Sequence, residues 1–279
     1  MLRGIVRRHG PVLLILPGAL LLLLLLLLPV GQLIATSFTD PDGALVNYRR
    51  ILAEPVYLRV IWRTLTVSAE TALACLMLGY PLAYQLTRAK PAVKAIILVC
   101  ILIPFWTNLL VRSYGWIVLL NPQGLINGLL RYLGLIDGSL PLLHNTTGVL
   151  IGMTQIMLPY MVLPLAAVMS RVDPSLVRAA RSLGASPVAA FTKVYLPLTL
   201  PGAIGGSVLV FMISLGFFVV PAMLGGPREI FLAQLIEFNV NQTLNWPFAG
   251  ALAAVLLVST LVLYGLGDRF LGVRRLWEA

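Results

Sequence analysis

Long apolar runs separated by short polar segments form the main pattern of the chain. Six of these runs reach the roughly 20 residues of helix that are needed to cross the hydrocarbon core of a bilayer. The pattern predicts an all-α membrane protein with six transmembrane helices. The predicted spans are residues 12–36, 61–86, 95–119, 148–169, 202–223 and 250–271.

Composition and charge support a membrane protein with a defined orientation. The chain is 59% hydrophobic and 11% charged, whereas soluble domains carry about 25% charged residues. Segments on one side of the predicted spans hold thirteen basic and three acidic residues, and those on the other side hold six of each. The positive-inside rule assigns the basic side to the cytoplasm. We therefore expect a multi-pass membrane protein with both termini in the cytoplasm. Topology then explains the net charge of +10 without a nucleic-acid partner.

Residues 170–201, here called the polar loop, form a polar island between two apolar runs. Asp173 can cap a first helix that begins with a proline, and Ser186 can cap a second one in the same way. Gly184 stands where a helix commonly ends in a left-handed residue. Pro197 is expected to close the second helix. The polar loop is therefore predicted to be a compact helix–turn–helix.

The first helix of the polar loop has one face of small and apolar residues. Such a face is suited to docking against another protein, and an amphipathic loop that rests on lipid headgroups is the alternative. At helical spacing this face comprises Leu176, Ala179, Ala180 and Leu183, with Arg178 and Arg181 off it.

The polar loop resembles the EAA loop of permease subunits of ABC importers. The resemblance rests on Ala179-Ala180, Gly184, Val194 and Leu196-Pro197, whose spacing agrees with the Glu-Ala-Ala, Gly, Ile-x-Leu-Pro pattern of that family. Arg178 stands where the family has glutamate, which reverses one charge. The resemblance implies that the loop couples to a separate ATPase. The implied coupling residues are Leu176, Arg178, Ala179, Ala180, Leu183, Gly184 and Pro197.

The ionisable side chains of Glu70 and Arg112 fall within the second and third predicted spans. Such groups are costly in the membrane and usually face the helix bundle or a water-filled path. Either they line a substrate path, or they form a buried pair, or Arg112 is satisfied by helix-end carbonyls. The sequence leaves these alternatives open.

Aromatic and amide motifs carry a second resemblance, to the polyamine (spermidine/putrescine) branch of these permeases. The motifs are Phe105-Trp106-Thr107-Asn108, Arg112-x-Tyr114, the region 121–127 and Asn245-Trp246-Pro247-Phe248. Carboxylates and aromatic faces attract organic cations. The expected translocation path comprises Glu70, Trp106, Asn108, Arg112, Tyr114, Phe217 and Glu237.

Motifs of other function classes are absent from the sequence. It has no Gly-x-x-x-x-Gly-Lys-Ser/Thr phosphate loop, no Gly-x-Ser-x-Gly and no His-Glu-x-x-His. No histidine falls in a predicted span to serve as the base of an intramembrane hydrolase. Cys75 and Cys100 lack metal-ligand spacing. We therefore expect no enzyme activity and no cofactor in this chain.

Two local questions stay open at this stage. The basic residues and leucine run at the start predict a retained membrane anchor, with a cleaved signal peptide as the alternative. The residues 216–227, rich in glycine and proline, predict either a broken helix end that faces a cavity or a plain loop turn.

Taken together, the resemblance implies a type I ABC importer transmembrane domain. It would be one permease domain over 1–279, with a first span and periplasmic segment in 1–57, a core in 58–271 that contains the coupling loop 171–201, and a cytoplasmic tail in 272–279. The implied partners are ATPase subunits that bind ATP and Mg, a second similar permease, a periplasmic substrate-binding protein and membrane lipid. The substrate would be a small organic cation such as putrescine or spermidine. The alternative is an ion-coupled secondary transporter or channel that works without an ATPase.

Overall fold

The computed structural model describes the backbone of residues 2–271, and the side chains of residues 15–265, 267 and 269. The expected tail 272–279 lies outside the described residues. All regular elements in the described backbone are helical, which confirms the all-α prediction. They are α1 (Leu2–Thr36), α2 (Val46–Ala53), α3 (Pro55–Arg88), α4 (Pro91–Trp106), α5 (Leu109–Leu120), α6 (Leu125–Tyr132), α7 (Thr146–Ser170), α8 (Pro174–Ser182), α9 (Pro187–Ala190), a π-helical turn (Phe191–Tyr195), α10 (Leu196–Leu215), α11 (Val219–Leu224), α12 (Leu232–Asn241) and α13 (Trp246–Leu271).

Five helical segments in the described residues are long and apolar enough to cross a membrane, and a bent helix pair makes a sixth candidate. This number confirms the membrane-spanning fold. The five segments are Ile15–Thr36, Pro55–Arg88, Thr146–Ser170, Pro187–Leu215 and Trp246–Gly265.

The third predicted span, residues 95–119, is not the single helix that the apolar pattern indicated. Instead, α4 and the segment Leu109–Tyr132 meet at an angle of 107°. Thr107 and Asn108 adopt extended backbone angles between the two helices. The Asn108 side chain then accepts a hydrogen bond from the Leu110 backbone N–H at 2.8 Å and so caps α5. An asparagine inside an apolar run therefore marks a helix start. Its side chain accepts a hydrogen bond from a backbone N–H in the first turn of the new helix, where no preceding turn supplies a carbonyl.

The fifth apolar run is also interrupted. α10 ends at Leu215, and α11 begins at Val219 after a short non-helical segment at Gly216. The helix is therefore broken in this region, as the first alternative expected, and the cavity that this alternative placed beside the break stays a prediction.

The described backbone divides into two compact units: residues 2–55 with 235–255, and residues 56–234 with 256–271. In the first unit, the turn between α1 and α2 is held by side-chain hydrogen bonds. Asn47 Nδ2 donates to Asp40 Oδ2 at 3.0 Å, and the hydroxyls of Ser37 and Tyr48 lie 2.7 Å apart.

The second unit is built around α7. Its side chains Met153, Met157 and Met161 are fully buried, and α10 packs along it. A Cβ atom on Gly202 of α10 would lie 2.8 Å from Cβ of Val168 on α7, so only glycine permits this approach. Close packing through small residues is how membrane helices associate, since lipid is as apolar as their side chains.

Candidate functional site

The first helix of the polar loop begins as the sequence predicted. Asp173 Oδ1 accepts a hydrogen bond from the Ser175 backbone N–H at 2.8 Å, and α8 follows from Pro174. Hydrogen bonds from the Ser175 side chain and backbone hold the pKa of Asp173 below its usual value. The capping carboxylate is therefore ionised at neutral pH. Its negative charge also interacts favourably with the positive end of the helix dipole.

The turn of the polar loop is also as predicted. Gly184 has a φ of +88°, and no atom lies within 4 Å of the position that a Cβ would occupy there. Ser186 then caps α9 by accepting a hydrogen bond from the Ala189 backbone N–H at 3.2 Å.

Pro197 does not close the second helix of the loop, so that prediction is wrong. The chain stays helical from Pro187 to Leu215, with the π-helical turn just before Pro197. In this turn the Leu196 backbone N–H bonds the carbonyl of Phe191, five residues back. A proline ring normally clashes with the carbonyl four residues earlier. The wider turn accommodates the ring, and the helix continues.

The predicted apolar face of α8 is mostly uncovered in this chain. Leu183 is 89% exposed, Leu176 is 46% exposed, and Ala179 and Arg178 are also exposed. Ala180 departs from the others because it is half-buried. Val177 packs against the second unit's core, so α8 is anchored on one side and open on the other.

Of the expected translocation residues, Glu70 lines an 840 Å³ cleft. We call it the Arg63 cleft. Glu70 is exposed there and makes no ion pair or hydrogen bond with the described residues. The lining residues are Val56, Arg59, Val60, Trp62, Arg63, Thr66, Glu70, Pro227, Arg228, Glu229 and Ile230.

A partly buried ion pair forms part of the wall of the Arg63 cleft. Arg63 Nη2 donates to Glu229 Oε1 at 2.7 Å and also to the hydroxyl of Thr146. The second carboxylate oxygen of Glu229 accepts from the Gly226 backbone N–H at 3.1 Å. These bonds join α3, the start of α7 and the segment after α11.

This ion pair is not among the features predicted from the sequence. Arg63 lies inside the predicted second span, as Glu70 does, and the cost of a charge there was the available signal. Its partner Glu229 is 166 residues away in the chain, and only the fold brings the two together.

Arg112 does not pair with Glu70. Ion pairs within the described part of the chain include Arg63–Glu229 and Arg50–Glu54. The Nε and Nη1 atoms of Arg112 are buried without a hydrogen-bond partner in the described part of the chain.

The other expected path residues do not line the Arg63 cleft. Trp106 is 83% exposed, and Tyr114 is exposed on α5. Asn108 is exposed at the break between α4 and α5. Phe217 packs, half-buried, against the core of the second unit. Glu237 belongs to the first unit, where its Oε1 accepts from Asn241 Nδ2 at 3.0 Å.

The described His, Cys, Asp and Glu side chains do not gather in any group of three that could hold a metal ion.

Comparisons with known proteins place these features in a family. Residues 75–270 match the family described as binding-protein-dependent transport system inner membrane component. The chain is similar to the spermidine/putrescine transport system permease protein PotB of Escherichia coli (strain K12), with 36% identity over 83% of this chain and 86% of that protein. PotB of Haemophilus influenzae is 34% identical over 83% of this chain and 84% of that protein.

A solved structure shares the fold. It is a bacterial alginate ABC transporter in complex with an alginate pentasaccharide-bound periplasmic protein. The TM-score is 0.75 at 16% identity, over 95% of this chain and 94% of that one. The fold is thus that of a type I ABC importer transmembrane domain. Because residues 75–270 match this family and a permease is 36% identical over most of the chain, the chain belongs to the inner-membrane permease family of binding-protein-dependent ABC importers.

Proposed function

We propose that this chain is the membrane permease of an ATP-driven importer for small organic cations, with spermidine and putrescine as substrates. The observation that carries the substrate is the 36% identity to a spermidine/putrescine permease over most of both chains. An ion-coupled transporter that works alone is disfavoured, because the chain belongs to a binding-protein-dependent family.

The polar loop is the part of the chain that would engage the ATPase. Its apolar face is uncovered around Leu183, and its turn is fixed by Gly184. Because Arg178 replaces the glutamate of related loops, we expect an acidic side chain opposite it on the ATPase. ATP and Mg would be bound by that subunit, and this chain would contribute no catalytic step.

The remaining assembly follows from this role. The basic loop would lie in the cytoplasm with both chain termini. A second, similar permease would complete the path, and a periplasmic binding protein would deliver the substrate, as in the similar alginate transporter.

Glu70 is the residue in the Arg63 cleft best suited to a cation. Its carboxylate is exposed and unpaired among the described residues, and the exposed ring of Trp62 lines the same cleft. The charge of Arg63 is balanced by Glu229. A carboxylate and an aromatic face together attract an ammonium group without trapping it.

Uptake by reconstituted complexes tests the proposal. Proteoliposomes containing the permeases, the ATPase and the binding protein should import radiolabelled putrescine and spermidine only when ATP is supplied. An amino acid and an inorganic anion serve as competing classes of substrate. Import of the anion with no response to either polyamine would contradict the proposed substrate, and import without ATP would contradict the mechanism.

A Glu70→Gln variant tests the role of the cleft. Because Glu70 has no ionic partner among the described residues, the variant should assemble normally. Polyamine uptake should fall about tenfold, which corresponds to the loss of about 1.4 kcal/mol of interaction. Normal uptake by a fully assembled variant would remove Glu70 from the path.

A further inference from the structure

Tyr84 and Arg88 on α3, with Phe191 and Tyr195 of the π-helical turn, form a compact group that we call the Arg88 clamp. The Arg88 guanidinium carbon lies 4.6 Å from the centroid of the Tyr84 ring and 5.0 Å from that of Tyr195. Both distances are within the range of a cation–π interaction. Arg88 is the last residue of α3, where a positive charge also complements the helix dipole.

The rings of the Arg88 clamp hold one another in fixed orientations. Tyr84 meets Tyr195 edge-on, with centroids 5.4 Å apart, and meets Phe191 edge-on at 5.9 Å. Phe191 and Tyr195 stack at 5.7 Å with their planes 26° apart. Tyr195 is 3% exposed. Interlocked rings of this kind resist sliding, because edge-on and stacked pairs each favour one geometry.

The π-helical turn gives the clamp its position in the chain. It directly follows α9 in the polar loop and directly precedes α10. π-helical turns are uncommon and are often found at functional sites. Val177 of α8 packs against the same core cluster as Tyr195, so both helices of the polar loop bear on the clamp.

The N-terminal half of α3 lines the Arg63 cleft. Glu70 lies 18 residues before Arg88 in the same continuous helix, a separation of about 27 Å at 1.5 Å per residue. A second bond ties α3 to α10 between these points, where the hydroxyls of Tyr80 and Thr199 lie 2.7 Å apart. A displacement of the polar loop would therefore reach α3 through the clamp.

We propose that Arg88 is a positioning residue that couples movement of the polar loop to α3 and, through α3, to the Arg63 cleft. This inference rests on the proposed function, since it assigns to Arg88 the transfer of motion from the ATPase to the substrate path. Loss of the charge weakens the attachment of α3 to the loop, so that ATP is hydrolysed with less transport. A defect in coupling lowers uptake while ATP hydrolysis continues. A merely structural defect lowers ATP hydrolysis and uptake together.

The test measures the number of ATP molecules hydrolysed per polyamine imported by the complete reconstituted importer. Arg88→Met keeps the side-chain length and removes the charge. It should hold hydrolysis near the wild-type rate and reduce uptake about tenfold, the effect of losing both cation–π contacts. Arg88→Lys retains a cation and should keep the wild-type ratio. Lys90→Met, which removes an exposed charge two residues away, is the matched control and should also keep it.

Tyr195 variants test the contact itself. Tyr195→Leu removes the ring and should raise the ratio as Arg88→Met does, whereas Tyr195→Phe retains a ring and should not. The double variant Arg88→Met with Tyr195→Leu should reduce uptake by less than the product of the two single effects, since the contact between Arg88 and Tyr195 is lost in both.

Three results would overturn the inference: an unchanged ratio in Arg88→Met, a parallel fall of hydrolysis and uptake, or effects of the two variants that multiply. If the wild-type complex transports with no need for ATP, the proposed function fails and this inference with it. If the wild-type complex is ATP-driven and Arg88→Met keeps its ratio, only the role of Arg88 is excluded.

Discussion

At the residue scale, the charges within the helical spans have different surroundings, and this decides what each can do. Arg63 and Glu229 form an ion pair, with Nη2 and Oε1 2.7 Å apart. Glu70, in contrast, is exposed and has no ionic partner among the described residues. The sequence predicted that Glu70 and Arg112 were unusual, because any charge in an apolar run is costly. The sequence could not predict which charged side chains form ion pairs, since pairing depends on contacts between distant parts of the chain.

The Arg63–Glu229 pair should stabilise the permease. Arg63→Met leaves Glu229, which is 8% exposed, without its ionic partner, at a cost of roughly 1–3 kcal/mol in the free energy of unfolding. The melting temperature of the purified permease in detergent should fall. Adding Glu229→Gln to this variant should recover part of the loss, because no buried charge is then left unpaired.

Arg228→Met is the control for this pair, since it removes the same charge from an exposed residue of the same cleft. An equal fall in melting temperature for Arg228→Met and Arg63→Met would show that the ion pair has no special role.

At the scale of elements, helix caps and the glycine turn were predicted reliably, whereas irregularities inside apolar runs were not. Asp173, Gly184 and Ser186 act within a few residues of their own position, and the structure places all three as predicted. Pro197 does not close its helix as predicted, because no residue pattern indicates the π-helical turn that accommodates it. The break at Asn108 was hidden in the same way, by an apolar run that continues across it.

The turn of the polar loop should depend on the conformation of Gly184 rather than on the space around it. Gly184→Val forces a β-branched residue to a φ of +88°, at a cost of about 1–2 kcal/mol. The displaced α8 should abolish uptake while the protein stays in the membrane at its normal amount. Gly184→Asn is the control, since asparagine tolerates this region, and it should retain most uptake. Full uptake and ATPase copurification with valine would refute a docking role for this turn.

At the scale of the whole molecule, the apolar runs were sufficient to predict a membrane-spanning helical fold. They predict it well because each helix in lipid must satisfy its own backbone bonds, so a long apolar run has few alternatives. The chain's division into two compact units had no counterpart in the pattern, because packing between helices leaves little trace in their composition. The single-domain layout stays a prediction, as does the orientation in the membrane.

Cysteine labelling tests the orientation. In a background with Cys75→Ala and Cys100→Ser, cysteines that replace Asp137 or Glu237 should react with an impermeant thiol reagent in intact cells. A cysteine that replaces Ser182 in the polar loop should react only after lysis. The opposite pattern would invert the proposed topology, and labelling of both sets in intact cells would contradict it.

The proposed function requires that the polar loop docks an ATPase that drives transport. Copurification of the ATPase with the tagged permease measures this docking. Leu183 is 89% exposed, so Leu183→Asp should leave the fold intact while it places a charge in the docking face. The account predicts that the tagged variant is recovered from membranes at its normal amount but without the ATPase, and that polyamine uptake is lost. Tyr132→Asp, at an equally exposed position on α6, should retain the ATPase. Full retention of the ATPase and of uptake by Leu183→Asp would contradict the account.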